Sequence, residues 1–299
     1  MYKKILVPLD GSKTAENVLP LARSFARSLQ IPVELLAIID IAEITRHRTP
    51  DQTSMLRTLV DDTTRRFESY LKDVGKNFPT GAVRHAVRNG NAAEAIIEAA
   101  EKETLIAMAT HGRSGLDRWL LGSVAEKVLR GTSNPLLLVR AKEKAPPWDM
   151  ATLKHVVVSL DGSELSERIL PFVEQLAKNL DLDVILLGVY GAPVSGVAGD
   201  GFYNTAQLQA FVAELRVETV EQLAAKAEEM KRNGFNKVSF IAKEGLPADE
   251  IIALARQTPD SLIAMCTHGR SGAKRWMLGS VTETVVRHSG APVLVARPS

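Results

Sequence analysis

The chain has 299 residues, which at roughly 150 residues per domain points to two domains, each large enough to bury a core. Apolar residues make up 45% and charged residues 24%. The 37 Lys plus Arg against 35 Asp plus Glu leave a net charge of only +2, and aromatics are 5%, which argues against a dedicated DNA or RNA binder. The single cysteine, Cys266, excludes an intrachain disulfide and a Cys-rich zinc cage, and no apolar run is long enough for a transmembrane helix, so no membrane partner is expected. Met1 to Val7 moves straight into a strand-like run, leaving no room for a signal peptide, and the expected compartment is the reducing cytoplasm.

In chain order, Ile5 to Leu9 is a short apolar run that reads as a buried strand. A helical pattern follows from Thr14 to Leu29, with Ala15, Val18, Leu19, Ala22, Phe25 and Ala26 on one side. Val33 to Ile39 is a second buried strand, and Glu43 to Gln52, polar and containing Pro50, is a loop. Thr53 to Lys76 is a long amphipathic helix, Ala82 to Val87 a weak third strand, and the turn residues Asn89-Gly90-Asn91 introduce a helix over Ala92 to Lys102. Leu105 to Ala109 is a fourth strand, Ser123 to Arg130 a helix, and Pro135 to Val139 a fifth strand.

The same order then repeats, ending in a strand over Pro292 to Val295. Ile5-Leu6-Val7-Pro8-Leu9-Asp10-Gly11-Ser12 returns as Val156-Val157-Val158-Ser159-Leu160-Asp161-Gly162-Ser163 at an offset of 151. Thr110-His111-Gly112-Arg113-Ser114-Gly115 returns as Thr267-His268-Gly269-Arg270-Ser271-Gly272 at an offset of 157, and 22 of the 37 positions over 104–140 match those over 261–297. The length is thus explained by duplication: domain 1–141, a charged linker 142–152 stiffened by Pro146-Pro147, and domain 153–299.

Apolar strands alternating with helices imply, in each copy, an α/β doubly wound parallel sheet with helices on both faces. Ligands in such sheets bind beyond the carboxyl ends of the strands where strand order reverses, which selects Asp10 after the first strand and Thr110-His111-Gly112 after the fourth. Gly112 and Gly122 bracket a loop that ends in Ser123 at a helix start. Glycine permits close backbone approach, the helix N-terminus attracts anions, and Arg113 adds charge, together an arrangement that can hold a polyphosphate. A second reading competes: Ser123-Val124-Ala125-Glu126 and Ser280-Val281-Thr282-Glu283 both have the form of a capping box. Asp10 and Asp161 likewise read either as ligand-binding carboxylates or as turn residues of Asp-Gly-Ser, and the turn reading is favoured on the residues alone. His111 and His268 have no nearby nucleophile and no second histidine at metal-ligand spacing, so loop anchoring is favoured over catalysis and no metal site is expected. Trp119 and Trp276 fit packing better than base stacking. There is no Gly-x-x-x-x-Gly-Lys-[Ser/Thr] phosphate loop and no Gly-x-Gly-x-x-Gly after the first strand, which disfavours a dinucleotide-dependent oxidoreductase.

These motifs, in this order and in both copies, resemble the universal stress protein family. The cues are Val7-Pro8-Leu9-Asp10-Gly11-Ser12, Met108-Ala109-Thr110-His111-Gly112-Arg113-Ser114-Gly115, Leu121-Gly122-Ser123-Val124 and Pro135-Leu136-Leu137-Leu138-Val139. The resemblance implies a five-stranded parallel sheet of order 3-2-1-4-5 in each copy. It also implies an intrachain pseudo-dimer in which Leu136–Val139 and Val293–Ala296 pair antiparallel.

For the nucleotide-binding members it further implies ATP or AMP as ligand, with or without Mg or Mn, through a motif resembling Gly-x-x-Gly-x9-Gly-[Ser/Thr]. Gly112, Gly122 and Ser123, and Gly269, Gly279 and Ser280, match its later positions; Ala109 and Cys266 replace its first glycine. Asp10 and Asp161 match the adenosine-contacting acid, and Ile38 and Val189 the apolar position at adenine. By the same resemblance the site takes in Pro8, Leu9, Met108, Arg113 and Val124 in the first copy, and Leu160, Met265, Arg270 and Val281 in the second. Ser159 in place of Pro8, and Cys266 in place of a smaller residue, make the first copy the better expected site. The expected function is an adenine-nucleotide-binding stress or regulatory protein that changes a partner surface. Alternatives are a weak ATPase and a nucleotide-free interaction protein. A further homodimer is left open.

Overall fold

The computed structural model describes residues 2–40, 53–79, 83–111, 121–140, 148, 152–191, 205–267 and 279–297. It divides into two compact units, one built on Met1–Thr152 and the other on Leu153–Lys274 with Gly279–Pro298.

In the first unit the described strands are β1 (Lys4–Pro8), β2 (Val33–Ile39), β3 (Val83–Asn89), β4 (Thr104–Ala109) and β5 (Leu136–Val139), hydrogen-bonded in the order β3-β2-β1-β4-β5. Every pairing is parallel, with Ile5 opposite Val33 on one side and Leu105 on the other. Strands β1 and β4 are buried almost throughout, which is why they read as continuous apolar runs, whereas β3 at the edge is half exposed and reads weakly. The helices are α1 (Leu19–Leu29), α2 (Thr53–Gly75), α3 (Ala92–Ala99) and α4 (Ser123–Gly131).

Right-handed crossovers put α1 and α2 on one face and α3 and α4 on the other. Tyr70 of α2 accordingly donates to Glu16 just before α1 at 3.2 Å, and Gly131 of α4 lies so close to Ile97 of α3 that a Cβ would come within 2.7 Å of it.

The second unit repeats this plan with β6 (His155–Ser159), α5 (Glu164–Glu167), α6 (Leu170–Leu180), β7 (Asp183–Tyr190), α7 (Thr205–Arg232), β8 (Val238–Glu244), α8 (Pro247–Gln257), β9 (Ser261–Cys266), α9 (Ser280–His288) and β10 (Val293–Ala296). Its strand order is β8-β7-β6-β9-β10, again parallel. The duplication extends to backbone strain: Gln30 and Asp181 end α1 and α6 at φ 54° and 55°, and Glu103 and Asp260 precede β4 and β9 at 65° and 57°.

Two elements differ from the sequence expectation. The helix expected over Thr14 to Leu29 is broken: a short 3-10 turn spans Ala15–Val18, and α1 begins at Leu19. Pro20 is the cause, because it fits a first helical turn, where its missing N–H leaves no bond unmade, but not a helix interior. The helix expected to reach Lys102 stops at Ala99, where the Asn134 side-chain amide donates to the carbonyls of Glu101 at 2.7 Å and Thr104 at 3.1 Å and holds the chain in a turn. Asn91 does start it, accepting from the amides of Ala93 and Glu94.

Candidate functional site

Strand β1 lies between β2 and β4, so the chain leaves β1 in one direction and β4 in the other, and a crevice opens where their carboxyl ends diverge. Asp10 and Thr110 stand at those ends in the first unit, and Asp161 and Thr267, after β6 and β9, in the second. Pro8 and Leu9, and Leu160 in the second copy, are buried just before the aspartates, with Leu9 N–H donating to Leu36 at 2.8 Å and Leu160 N–H to Leu187 at 2.9 Å.

Each aspartate builds its own turn. Asp10 Oδ1 accepts from Ser12 N–H at 2.9 Å and from its hydroxyl at 2.6 Å, and Asp161 Oδ1 accepts from Ser163 at 3.0 and 2.6 Å. Gly11 and Gly162, at φ 79° and 78°, supply the left-handed residue these turns require.

The capping-box reading of Ser123 and Ser280 is corrected by one residue. The N-caps of α4 and α9 are Gly122 and Gly279, which have no side chain to cap with, and the serines occupy the first helical position. The fixing contact is long-range: Gly122 N–H donates to the Thr110 carbonyl at 2.8 Å and Gly279 N–H to Thr267 at 3.0 Å. A Cβ on these glycines would lie 3.0 and 2.6 Å from those same oxygens. Glu126 and Glu283 pair forward with Arg130 and Arg287 at 3.1 and 2.9 Å. Ser123 and Ser280 are exposed, and Val124 and Val281 are half-buried.

Met108, Ala109, Met265 and Cys266 are buried at the ends of β4 and β9. The Cys266 thiol packs inward, donating to the Ser166 carbonyl at 3.7 Å beneath α5. Burial pushes it up to about 12, with the nearby Asp161 charge adding to the rise. Its bulk is thus taken up by the protein interior. His111 Nδ1 lies 3.0 Å from the Thr110 hydroxyl; burial and then the Arg140 charge lower its pKa, so the ring is neutral near pH 7. Gly112, Arg113, Trp119, His268, Gly269, Arg270, Trp276 and the loops 43–52 and 192–204 lie outside the described residues. So does most of the linker, although Trp148 packs edge-on to Phe78 with ring centroids 5.7 Å apart and has Arg23 over its ring.

A cavity of about 110 Å³ opens in the second unit at the carboxyl ends of β6 and β7, under α7. It brings together three expected residues, Leu160, Asp161 and Val189. It also includes Thr219, Gln222 and Lys226 of α7, which sequence reasoning missed, while Met265, Cys266, Gly279, Ser280 and Val281 are not in its wall. The available signal was Gly188 inside β7: a Cβ there would meet Thr219 at 2.6 Å and Leu223 at 3.0 Å, so glycine lets the helix close on the sheet. Ile38, the first-copy counterpart of Val189, is half-buried near the end of β2. Among the described residues no group of three or more His, Cys, Asp or Glu could hold a metal ion, and no helix is long and apolar enough to cross a membrane.

A doubly wound parallel domain, present twice, with a glycine-capped helix after the fourth strand and an aspartate at the end of the first, defines a class of duplicated α/β proteins. The chain belongs to the universal stress protein family, whose model matches residues 1–140 and 152–297. Among its relatives, a universal stress protein of Mycolicibacterium smegmatis is 24% identical over 98% of this chain and 97% of its own length. Universal stress protein MJ0531 of Methanocaldococcus jannaschii is 30% identical over 48% of this chain and 82% of its own length. A universal stress protein structure from Archaeoglobus fulgidus covers all of both chains with a TM-score of 0.71 at 22% identity, a likeness of fold.

Proposed function

We propose that this chain is a regulatory adenine-nucleotide-binding protein of the cytoplasm. ATP or AMP would lie across the carboxyl ends of β1 and β4, with its phosphates at Gly122, Ser123 and the start of α4, and correspondingly at β6, β9, Gly279 and Ser280. The observation that carries this reading is the helix start itself. A glycine cap offers the first-turn amides no side-chain acceptor, and the serine hydroxyl beside them is exposed, so amides and hydroxyl together suit an anion. Asp10 and Asp161, though they accept from their own turns, stand where a sugar's hydroxyls would reach the outer carboxylate face. Mg or Mn would be carried by the phosphates.

Calorimetry and thermal shift with ATP and Mg²⁺ test the proposal, together with mass spectrometry of nucleotide released from the purified protein. Absence of heat and of any shift at millimolar ATP would refute it.

A further inference from the structure

Helix α7 carries an apolar face that its own unit does not cover. Leu223, Ala227 and Met230 are buried, and Leu223 and Thr219 close on β7 at Gly188. Lys226 reaches Glu167 of α5 at 2.9 Å. Val217 lies nine residues before Lys226, which at 3.6 residues per turn puts it on the opposite side of the helix, away from α5. Ala206, Ala210, Ala213, Val217, Val220 and Ala224 share that side, spaced alternately four and three residues apart, the spacing of a heptad seam. Val217 is 56% exposed, and the three alanines before it are exposed as well. The apolar surface continues onto edge strand β8. Phe240 pairs in register with Leu186, two residues before Gly188, so it stands on the sheet face that α7 covers, and it is 39% exposed.

The fold does not require this surface. Aligning the buried Leu71 and Val74 of α2 with Ala227 and Met230 of α7 gives an offset of 156. At that offset Ala213, Val217, Val220 and Ala224 correspond to Arg57, Asp61, Thr64 and Glu68. His85, in register with Leu35, takes the place of Phe240. One surface is therefore polar in the first copy and apolar in the second.

Charge indicates what covers it. With Val217 at heptad position a and Val220 at d, Arg216 falls at g and Glu221 at e, and both are exposed. The described ion pairs of α7 use Lys226, Glu228, Glu229 and Lys231, all nearer its C-terminus. In a parallel pair of identical helices, position g of one lies against the following e of the other, so Arg216 meets Glu221 of the second copy, twice by symmetry. An antiparallel pair would set g against g and e against e, and like charges would meet. We infer that the chain forms a homodimer by parallel pairing of α7, with Phe240 at the margin of the contact. The inference is independent of the nucleotide reading. The seam from Ala206 to Ala224 is only about 27 Å long, so the association is reversible.

Sedimentation equilibrium of the full chain over about 1 to 500 µM tests this. The native protein should pass from monomer to dimer across that range. Val217→Glu should weaken the dimer more than about tenfold, because it buries a carboxylate in the seam. Arg216→Glu and Glu221→Arg should each weaken it about tenfold, and the two together should return it to within about threefold of the native value. All three positions are exposed, and an unchanged melting temperature at low concentration checks that the fold is kept. A chain that stays monomeric throughout overturns the inference, as does a dimer that ignores Val217→Glu. Failure of the double reversal to recover what each single reversal lost overturns it too, because the parallel register would then be wrong.

Discussion

Gly279→Ala separates what the glycine motif does for folding from what it does for a ligand. The backbone at Gly279 is ordinary, with φ −62° and ψ 141°, so alanine meets no conformational strain. The obstacle is the Thr267 carbonyl, 2.6 Å from where the Cβ would stand and fixed in place at the end of β9. Restoring an ordinary 3.4 Å contact requires the cap to retreat by about 0.8 Å, which breaks its own 3.0 Å hydrogen bond to the same oxygen. Losing that bond costs about 1 kcal/mol. Repacking the helix start adds about 1–2 kcal/mol, for a total of about 2–3 kcal/mol. Gly122→Ala, with its Cβ at 3.0 Å from Thr110, needs only about half that retreat and should cost about 1 kcal/mol. Peptide-resolved hydrogen exchange reads the two units separately, and urea unfolding gives the scale. The reasoning is wrong if Gly279→Ala lies within about 0.5 kcal/mol of the native protein, or if Gly122→Ala is the more damaging of the two. The effect is expected with no nucleotide present. Loss of binding in a Gly122→Val variant would therefore prove nothing about a phosphate site.

Ser123→Ala is the cleaner probe of that site. The hydroxyl is exposed and caps nothing, so stability should move by less than about 0.5 kcal/mol, while ATP affinity should fall about tenfold if it bonds a phosphate. Cys266, buried and pushed up to about 12, should resist a thiol reagent at pH 8 in the native protein and react promptly on unfolding. Because its folded pKa is raised, the stability held by the neutral thiol is fully present below the unfolded value and is lost as pH rises towards 12, which alkaline denaturation of Cys266→Ala against the native protein would reveal. Glu174 is raised first by burial and then by the Glu229 charge, so its ionised form opposes folding above the ordinary glutamate range. Glu174→Gln should therefore raise the melting temperature at pH 7 and lose that advantage as acid protonates the native residue.

Features governed by the neighbouring chain were legible, and those governed by distant backbone were not. Apolar runs announced the strands because a parallel sheet buries both faces, and β2 fills the expected Val33–Ile39 without a residue's difference. Asn91 announced α3 because its carbonyl oxygen reaches amides only two and three residues ahead. The end of that helix was hidden because Asn134, 33 residues on from Glu101, determines it. The cavity lining on α7 was hidden for the same reason: Thr219, Gln222 and Lys226 matter only once Gly188 admits the helix to the sheet.

The serine of the glycine motif shows why this distinction bears on function. Ser-x-x-Glu satisfies a local capping rule, and a local reading stops there. The carbonyl at the end of the fourth strand instead claims the preceding glycine's amide, moves the cap by one residue, and frees the serine hydroxyl from any structural duty among the described contacts. The same displacement occurs in both units, although only the second has Thr282, whose hydroxyl donates to Cys266 at 3.0 Å and ties α9 to β9. Two copies that brace the helix start differently yet leave the same serine exposed meet what the proposed phosphate contact requires, and this is the proposal that Ser123→Ala puts at risk.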